Sequence, residues 1–414
     1  MSLIKPFRGL RPAEGRAADV AAPPYDVVDR GEAKALVSGR PWSFLHISRP
    51  EIDLADDVDA YDASVYLKGR ENLDRMVDEG ILARDPEPCY YAYRLTMGKH
   101  VQTGVVATAS VDAYDKGRIK KHEFTRPVKE DDRVRQIDTL NAQTGPVFLV
   151  YKADAVVDGI LRDVTSVAAD IDVTAERDAV RHELWPICRT DQVKALTAAF
   201  DAMPAIYVAD GHHRSAAGSR VGNARRAANP AHTGDESYNH FLSVIFPHDQ
   251  MQILDYNRVV ADLNGRDKDA FLAAVAGAFD LEVSSEPVKP ARSGEFGMYV
   301  DGQWYRLQIH DEHIPADDPV GRLDVSLLQN ALIAPLLGVG DPRRDERIDF
   351  VGGIRGLAAL EQRVDSGKWA VAFSLFPTTM QALMDVADAG EVMPPKSTWF
   401  EPKLADGLVS HVLD

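Results

Sequence analysis

The stretch Ile206-Tyr207-Val208-Ala209-Asp210-Gly211-His212-His213-Arg214-Ser215 decides how this chain is read. Ala205 to Ala209 is a short apolar run, which predicts a buried strand. It leads directly into the polar residues Asp210 to Arg214. Small residues follow, Ser215-Ala216-Ala217-Gly218, and predict a helix from about 215 to 228. A strand, a tight turn and a helix in that order leave unpaired N–H groups at the helix start, where the helix dipole is also positive. That is an anion-binding arrangement. Gly211 permits the turn and close approach of a ligand. Arg214 supplies a planar fork suited to phosphate. His212, His213 and Ser215 add hydrogen-bonding groups. Asp210 is a candidate base or magnesium ligand, and His213 a candidate nucleophile or acid. The bland alternative makes Asp210 a helix cap and the histidines ordinary surface groups. Neighbouring helical residues diverge by ~100°, so two adjacent histidines are poorly placed to share one metal ion.

Working outward, mixed helices and strands with hairpins predict an α+β fold, mixed sheets with flanking helices. A helix is expected over 57–80. Tyr90 to Thr96 and Val101 to Tyr114 read as strands of a hairpin, followed by a polar helix over 129–141 and a buried strand over 147–151. Residues 152–200 read as helix, short strand, helix. A strand at 241–246 is expected, with 252–260 as its possible partner. A helix over 267–279, a hairpin turning at Asp301-Gly302, a helix over 324–337, a strand over 369–376 and a helix over 378–389 complete the pattern. The chain has 414 residues, more than one core serves efficiently. The expected division is an N-terminal α/β domain over 1–150, a segment over 151–264 carrying the Asp210 motif, and a C-terminal α/β region over 265–414 ending in a basic strap.

Other constellations carry chemistry. His122-Glu123 sits ahead of a polar helix, and both are candidates for proton transfer. Arg133 in that helix is a candidate for neutralising substrate charge. The alternative for this helix is a solvated face of internal ion pairs. Pro23-Pro24 stiffens the chain and presents Tyr25 and Asp26, candidate substrate contacts. Lys396, Ser397, Thr398 and Lys403 lie in a proline-pinned tail that could close over an anion or serve only as a packed strap. Gly352-Gly353-Ile354-Arg355-Gly356 reads as a simple turn.

Hydrophobic residues make up 45% of the chain and charged residues 27%, the balance of an ordinary soluble protein. No apolar run is long enough to span a bilayer, and no signal-peptide pattern opens the chain. The expectation is a cytoplasmic protein with no membrane partner. The net charge of -17 disfavours nucleic acid and leaves a small phosphate ligand in a local basic pocket. Cys89 and Cys188 are too far apart in sequence for a redox or zinc motif, and the expectation is two free, buried thiols.

Asp210-Gly211-His212-His213-Arg214 is similar to the phosphate-binding motif of the ParB/sulfiredoxin-like superfamily, which includes ParB-type CTPases, sulfiredoxin and free-serine kinases. Nearly the whole chain resembles the prokaryotic family called domain of unknown function 1015. That resemblance rests on Phe7-Arg8-Gly9-Leu10-Arg11-Pro12, Ala22-Pro23-Pro24-Tyr25-Asp26-Val27, His122-Glu123-Phe124-Thr125, the Asp210 motif, and the run Met393 to Lys403. It implies a ParB/sulfiredoxin-like nucleotide-binding core, with ATP or ADP and magnesium as cofactors. The leading expectation is a nucleotide-dependent phosphotransferase acting on a small hydroxylated metabolite, serine being suggested by the kinases alone. The alternatives are a phosphatase and a non-catalytic nucleotide sensor.

Overall fold

A computed structural model describes residues 2–414. The chain forms two compact units rather than three consecutive segments. The first is Met1–Met251 together with Pro402–Asp414, and the second is Gln252–Glu401. The expected boundary at 150 fails because one sheet draws strands from both sides of it. Val147–Tyr151 lies between Ile206–Asp210 and His240–Pro247, and His240–Pro247 pairs in turn with His100–Ser110. The expected boundary at 264 falls inside the second unit.

The sheet of the first unit is mixed, as the α+β reading requires. In order it runs Ile119–Lys120, Ile206–Asp210, Val147–Tyr151, His240–Pro247, His100–Ser110, Tyr90–Met97, Arg181–Ile187 and Ile171–Thr174, with Ile4–Lys5 added on His100–Ser110. Its central strands Val147–Tyr151 and Ile206–Asp210 are largely apolar. Val105, Leu149, Ile206, Val208 and Ile245 are fully buried, and Val157, Leu161, Leu196 and Phe200 cover them from the helices Ala155–Val164 and Thr190–Ala202. The helices Pro127–Leu140 and His212–Ala228 pack on each other through Ile137, Ala217 and Val221. Residues 171–187 form two strands where one was expected. The helix expected over 57–80 starts later, at Ala63, where Asp62 caps it by accepting the Ser64 N–H.

Cys89 and Cys188 form a disulfide, contrary to the expected free thiols. Strand register explains the pairing. Tyr90 lies opposite Ile187, so the preceding and following residues meet at the next rung, with their Cα atoms 4.6 Å apart. A separation of 99 residues hides this from any local motif. Such bonds persist mainly in oxidising surroundings. No helix among the described residues is long and apolar enough to cross a membrane.

The second unit has its own sheet, Phe279–Ser284, Gln303–Ile309, Glu295–Val300, Val371–Leu375, Tyr256–Val260 and Ile348–Gly352. Residues 252–260 therefore do not pair with the 241–246 strand. Tyr256–Val260 pairs with Ile348–Gly352 and Val371–Leu375. The hairpin at Asp301-Gly302 forms as expected, both residues having positive φ, the backbone that a two-residue turn needs.

Candidate functional site

The site is assembled where the Ile206–Asp210 strand ends. Its pairing with Val147–Tyr151 slips between Val208 and Asp210, and a bulge of this kind re-aims the side chain at a strand end. Gly211 follows with φ 91° and stands as the N-cap of the helix His212–Ala228. A Cβ here would lie 3.2 Å from Arg214 Nε and 3.3 Å from its Cζ. Glycine thus serves both the left-handed turn and the close seating of the arginine. The helix begins three residues earlier than expected. His212, His213 and Arg214 occupy its first turn, where N–H groups lack partners within the helix. Ser215 does not share that role. Its N–H donates to Gly211 O at 2.9 Å, its hydroxyl donates to His212 O, and the residue is fully buried.

Asp210 accepts the Gly211 N–H at 2.7 Å on Oδ1 and the Lys403 ammonium at 3.1 Å on Oδ2. Burial opposes ionisation of this carboxyl, but Lys403 and Arg214 outweigh it and hold Asp210 well below the usual carboxylate range. Lys403 arrives on Pro402–Asp414, the C-terminal segment that returns to the first unit. Lys396, Ser397 and Thr398 belong to the second unit. There the Lys396 ammonium lies 5.5 Å from the Tyr256 ring centre, and the Ser397 hydroxyl donates to Pro394 O at 2.6 Å. Within the proline-pinned tail, Lys403 is the residue joined to the motif.

The Arg214 guanidinium is buried, with a side-chain exposure of 10%. Nη1 donates to Pro146 O at 2.5 Å, and Nη2 stands 3.5 Å from Asp26 Oδ2. The second distance exceeds that of a close charge-assisted hydrogen bond, so the fork is not saturated by Asp26. Tyr25 joins Arg214 to Arg133: the Arg133 guanidinium stacks 4.0 Å from the Tyr25 ring centre, and that of Arg214 lies at 6.0 Å. Arg133 also donates to Asp132 Oδ2 at 2.7 and 3.0 Å, and Asp132 accepts the Tyr66 hydroxyl at 2.9 Å. Tyr25, Arg133, Gly145, Arg214 and Asp406 line a narrow cleft with a volume of about 30 Å³, room for one or two waters. A larger ligand needs side chains to move.

The histidines form a neighbouring group. His122 and His212 are both buried, with ring centres 4.5 Å apart and planes nearly perpendicular. Burial pushes His122 down to about 4, and burial together with His122 pushes His212 well below its ordinary value. Both are neutral at ordinary pH. Glu123 lies at the rim, its carboxylate 3.8 Å from His212 Nδ1. His213 Nε2 accepts the Arg126 N–H at 3.0 Å. That use of its lone pair argues against His213 as a nucleophile through Nε2.

Sequence reasoning missed Asp406. Its only local signal is the turn dipeptide Asp406-Gly407. The residue is 1% exposed, and its carboxyl accepts from the Tyr25 backbone N–H. Burial pushes it up to about 7 against the pull of Arg214.

A mixed-sheet α+β unit whose strand end feeds an arginine-bearing helix start defines the class of this protein. The chain belongs to the family described as Protein of unknown function (DUF1015), whose model matches residues 4–326. No match is found among the curated proteins. Three solved structures are distantly similar. Free serine kinase in complex with AMP aligns with 75% of this chain and 94% of its own, at 14% identity and a TM-score of 0.34. A conserved hypothetical protein from Pyrococcus furiosus aligns with 76% of this chain and 97% of its own, at 13% identity and a TM-score of 0.33. SbnI with a C-terminal truncation, from Staphylococcus aureus, aligns with 73% of this chain and 86% of its own, at 11% identity and a TM-score of 0.37. Likeness this distant carries no argument about what the present chain binds.

Proposed function

We propose that the first unit binds a nucleotide phosphate at the Gly211–Arg214 helix start and transfers a phosphoryl group to a small hydroxylated metabolite. Serine is the acceptor that the motif resemblance suggests. The observation that carries this reading is the buried guanidinium of Arg214, paired with Asp26 only at 3.5 Å, in the first turn of a helix that has no side-chain cap. Burying such a charge is costly unless something matches it, and a phosphate oxyanion suits both the fork and the N–H groups. Arg133 and Lys403 add positive charge to the same end of the sheet, and phosphoryl transfer depends mainly on charge neutralisation and alignment.

Asp210 acts here by positioning Lys403. Its carboxylate oxygens are engaged by an ammonium and an N–H, so the residue does not fit the magnesium role expected from the motif. Glu123 is the more accessible acid–base candidate, because His122 is buried and neutral. His212 supplies hydrogen bonding rather than charge.

Titration calorimetry of the full chain with ATP and ADP tests the binding half. Wild type should bind, and Arg214→Ala should weaken affinity about ten- to hundredfold, the loss of a charged hydrogen-bonded contact of ~1.5–3 kcal/mol. Absence of binding by wild type, or an unaffected Arg214→Ala variant, sinks the reading. A transfer assay with ATP and serine tests the other half. Nucleotide binding without turnover on serine or related hydroxyl compounds would leave a sensor instead.

A further inference from the structure

The second unit carries a cluster of ligating side chains that the proposed reaction does not use. The strand Gln303–Ile309 ends at His310, and a single 3-10 turn, Asp311–His313, follows. Three backbone hydrogen bonds fix this corner: the His310 N–H donates to Ala278 O, the His313 N–H to His310 O and the Ile314 N–H to Asp311 O, each at 3.0 Å. Such a turn takes three residues, so side chains three apart lie one above the other. His310 and His313 do so, with ring centres 6.4 Å apart and planes 23° from parallel. Each of His310, Glu312 and His313 offers a donor atom, and the three atoms lie within 4.8 Å of one another. Asp280 stands on the edge strand Phe279–Ser284, which pairs with Gln303–Ile309. It brings a second carboxylate to 3.4 Å from His310 Nε2. Among the described residues, the other group of this kind is Glu87 with Cys89 and Cys188, whose sulfurs are joined to each other.

We propose that His310, Glu312 and His313 bind one divalent transition-metal ion of the zinc, nickel or copper class, with Asp280 as the carboxylate beside His310. Imidazole nitrogen suits these ions, whereas magnesium and calcium take oxygen almost alone. Bonds of about 2 Å put the donors of one ion roughly 3–4 Å apart. Glu312 and His313 are exposed and His310 is half-buried, so small side-chain rotations close the remaining gap. Separate ion pairs, His310 with Asp280 and His313 with Glu312 at 3.8 Å, would satisfy each ring without bringing three donors to one point. An ion accounts for that convergence. Held here, it ties the corner after Gln303–Ile309 to the outermost strand of the sheet through Asp280. The site is independent of the phosphate site in the first unit and stands or falls separately.

Calorimetric titration of the full chain with zinc chloride, in metal-free buffer, tests this. Loss of an outer-shell partner alone typically lowers metal affinity by about 10–100-fold. His310→Ala and His313→Ala remove ligands, so each should weaken zinc binding at least about tenfold, and Asp280→Asn should weaken it by about tenfold. Magnesium chloride should not compete. Copper-loaded protein gives a second readout: electron paramagnetic resonance should show two imidazole nitrogens on the ion in wild type and one in each histidine variant. No zinc binding by wild type, full zinc affinity in both histidine variants, or equal affinity for magnesium overturns the proposal. Unchanged affinity in Asp280→Asn removes Asp280 from it. If one histidine variant does not fold, the other variant and the nitrogen count decide, and fewer than two nitrogens in wild type sinks the site.

Discussion

At the residue scale, Asp406 shows how a burial argument becomes a measurable one. Its carboxyl is pushed up to about 7, chiefly by burial, whereas an unfolded chain ionises it near the ordinary 3.8. Above pH 7 the folded protein must hold a buried anion that the unfolded chain solvates freely, so the group destabilises the fold. The penalty is full above the folded value, shrinks as pH falls, and is gone below the unfolded value. Asp406→Asn should therefore be more stable than wild type at pH 8, by an amount on the order of a few kcal/mol, and the gap should close by about pH 4. Urea midpoints of the two proteins at both pH values check this. A constant gap would show that Asp406 does not titrate in that window. The residue escaped notice in sequence because one aspartate in a proline-rich tail is ordinary, and only the return of Pro402–Asp414 to the first unit makes it buried. Arg214 was legible for the opposite reason: it follows the strand by four residues, so local geometry places it.

At the level of elements, local pattern was a good guide wherever local forces decide. The Val147–Tyr151 strand, the hairpin at Asp301-Gly302 and the His212–Ala228 helix follow from apolar runs and turn residues. Pairings between distant strands did not follow, because nothing within a window of residues records them. The disulfide at the Tyr90–Ile187 end of a strand pair and the assignment of Tyr256–Val260 to the second unit's sheet are of that kind. The Gly211 turn links the two cases, since its glycine was legible and its consequence for Arg214 was not. Gly211→Ala should cost about 1–2 kcal/mol from left-handed backbone alone. Because the new methyl would sit 3.2–3.3 Å from Arg214 Nε and Cζ, it should also displace the guanidinium. The expected result is nucleotide affinity lowered nearly as far as in Arg214→Ala, in a protein that remains folded. Calorimetry alongside a melting curve separates the two effects. Full affinity in Gly211→Ala would mean that the turn does not seat the arginine.

Across the whole molecule, the most consequential pattern is one that composition conceals. His122, His182, His212, His240 and His411 are all buried, and all belong to the first unit. Burial is the first cause in every case. It pushes His122, His182 and His411 down to about 4, His240 to about 3, and His212 well below its ordinary value. An unfolded histidine takes up a proton near pH 6.5. Between that value and the folded ones the unfolded state therefore binds more protons, and stability must fall as pH falls. Each group contributes up to about 1.4 kcal/mol per pH unit, so the set can remove several kcal/mol between pH 6.5 and 4. Asp406 acts in the opposite sense over part of the same range but is a single group. In the second unit, Asp324 is also raised, to about 6, by burial, so acid relieves a penalty there. The two units should therefore respond differently. Amide hydrogen exchange, corrected for intrinsic rates and followed by mass spectrometry at pH 7 and pH 5, should show protection collapsing in peptides from the 90–110, 206–228 and 240–247 segments. Peptides from 295–309 and 371–375 should keep their protection. Uniform loss over both units, or none in the first, would mean that the buried imidazoles do not govern acid stability.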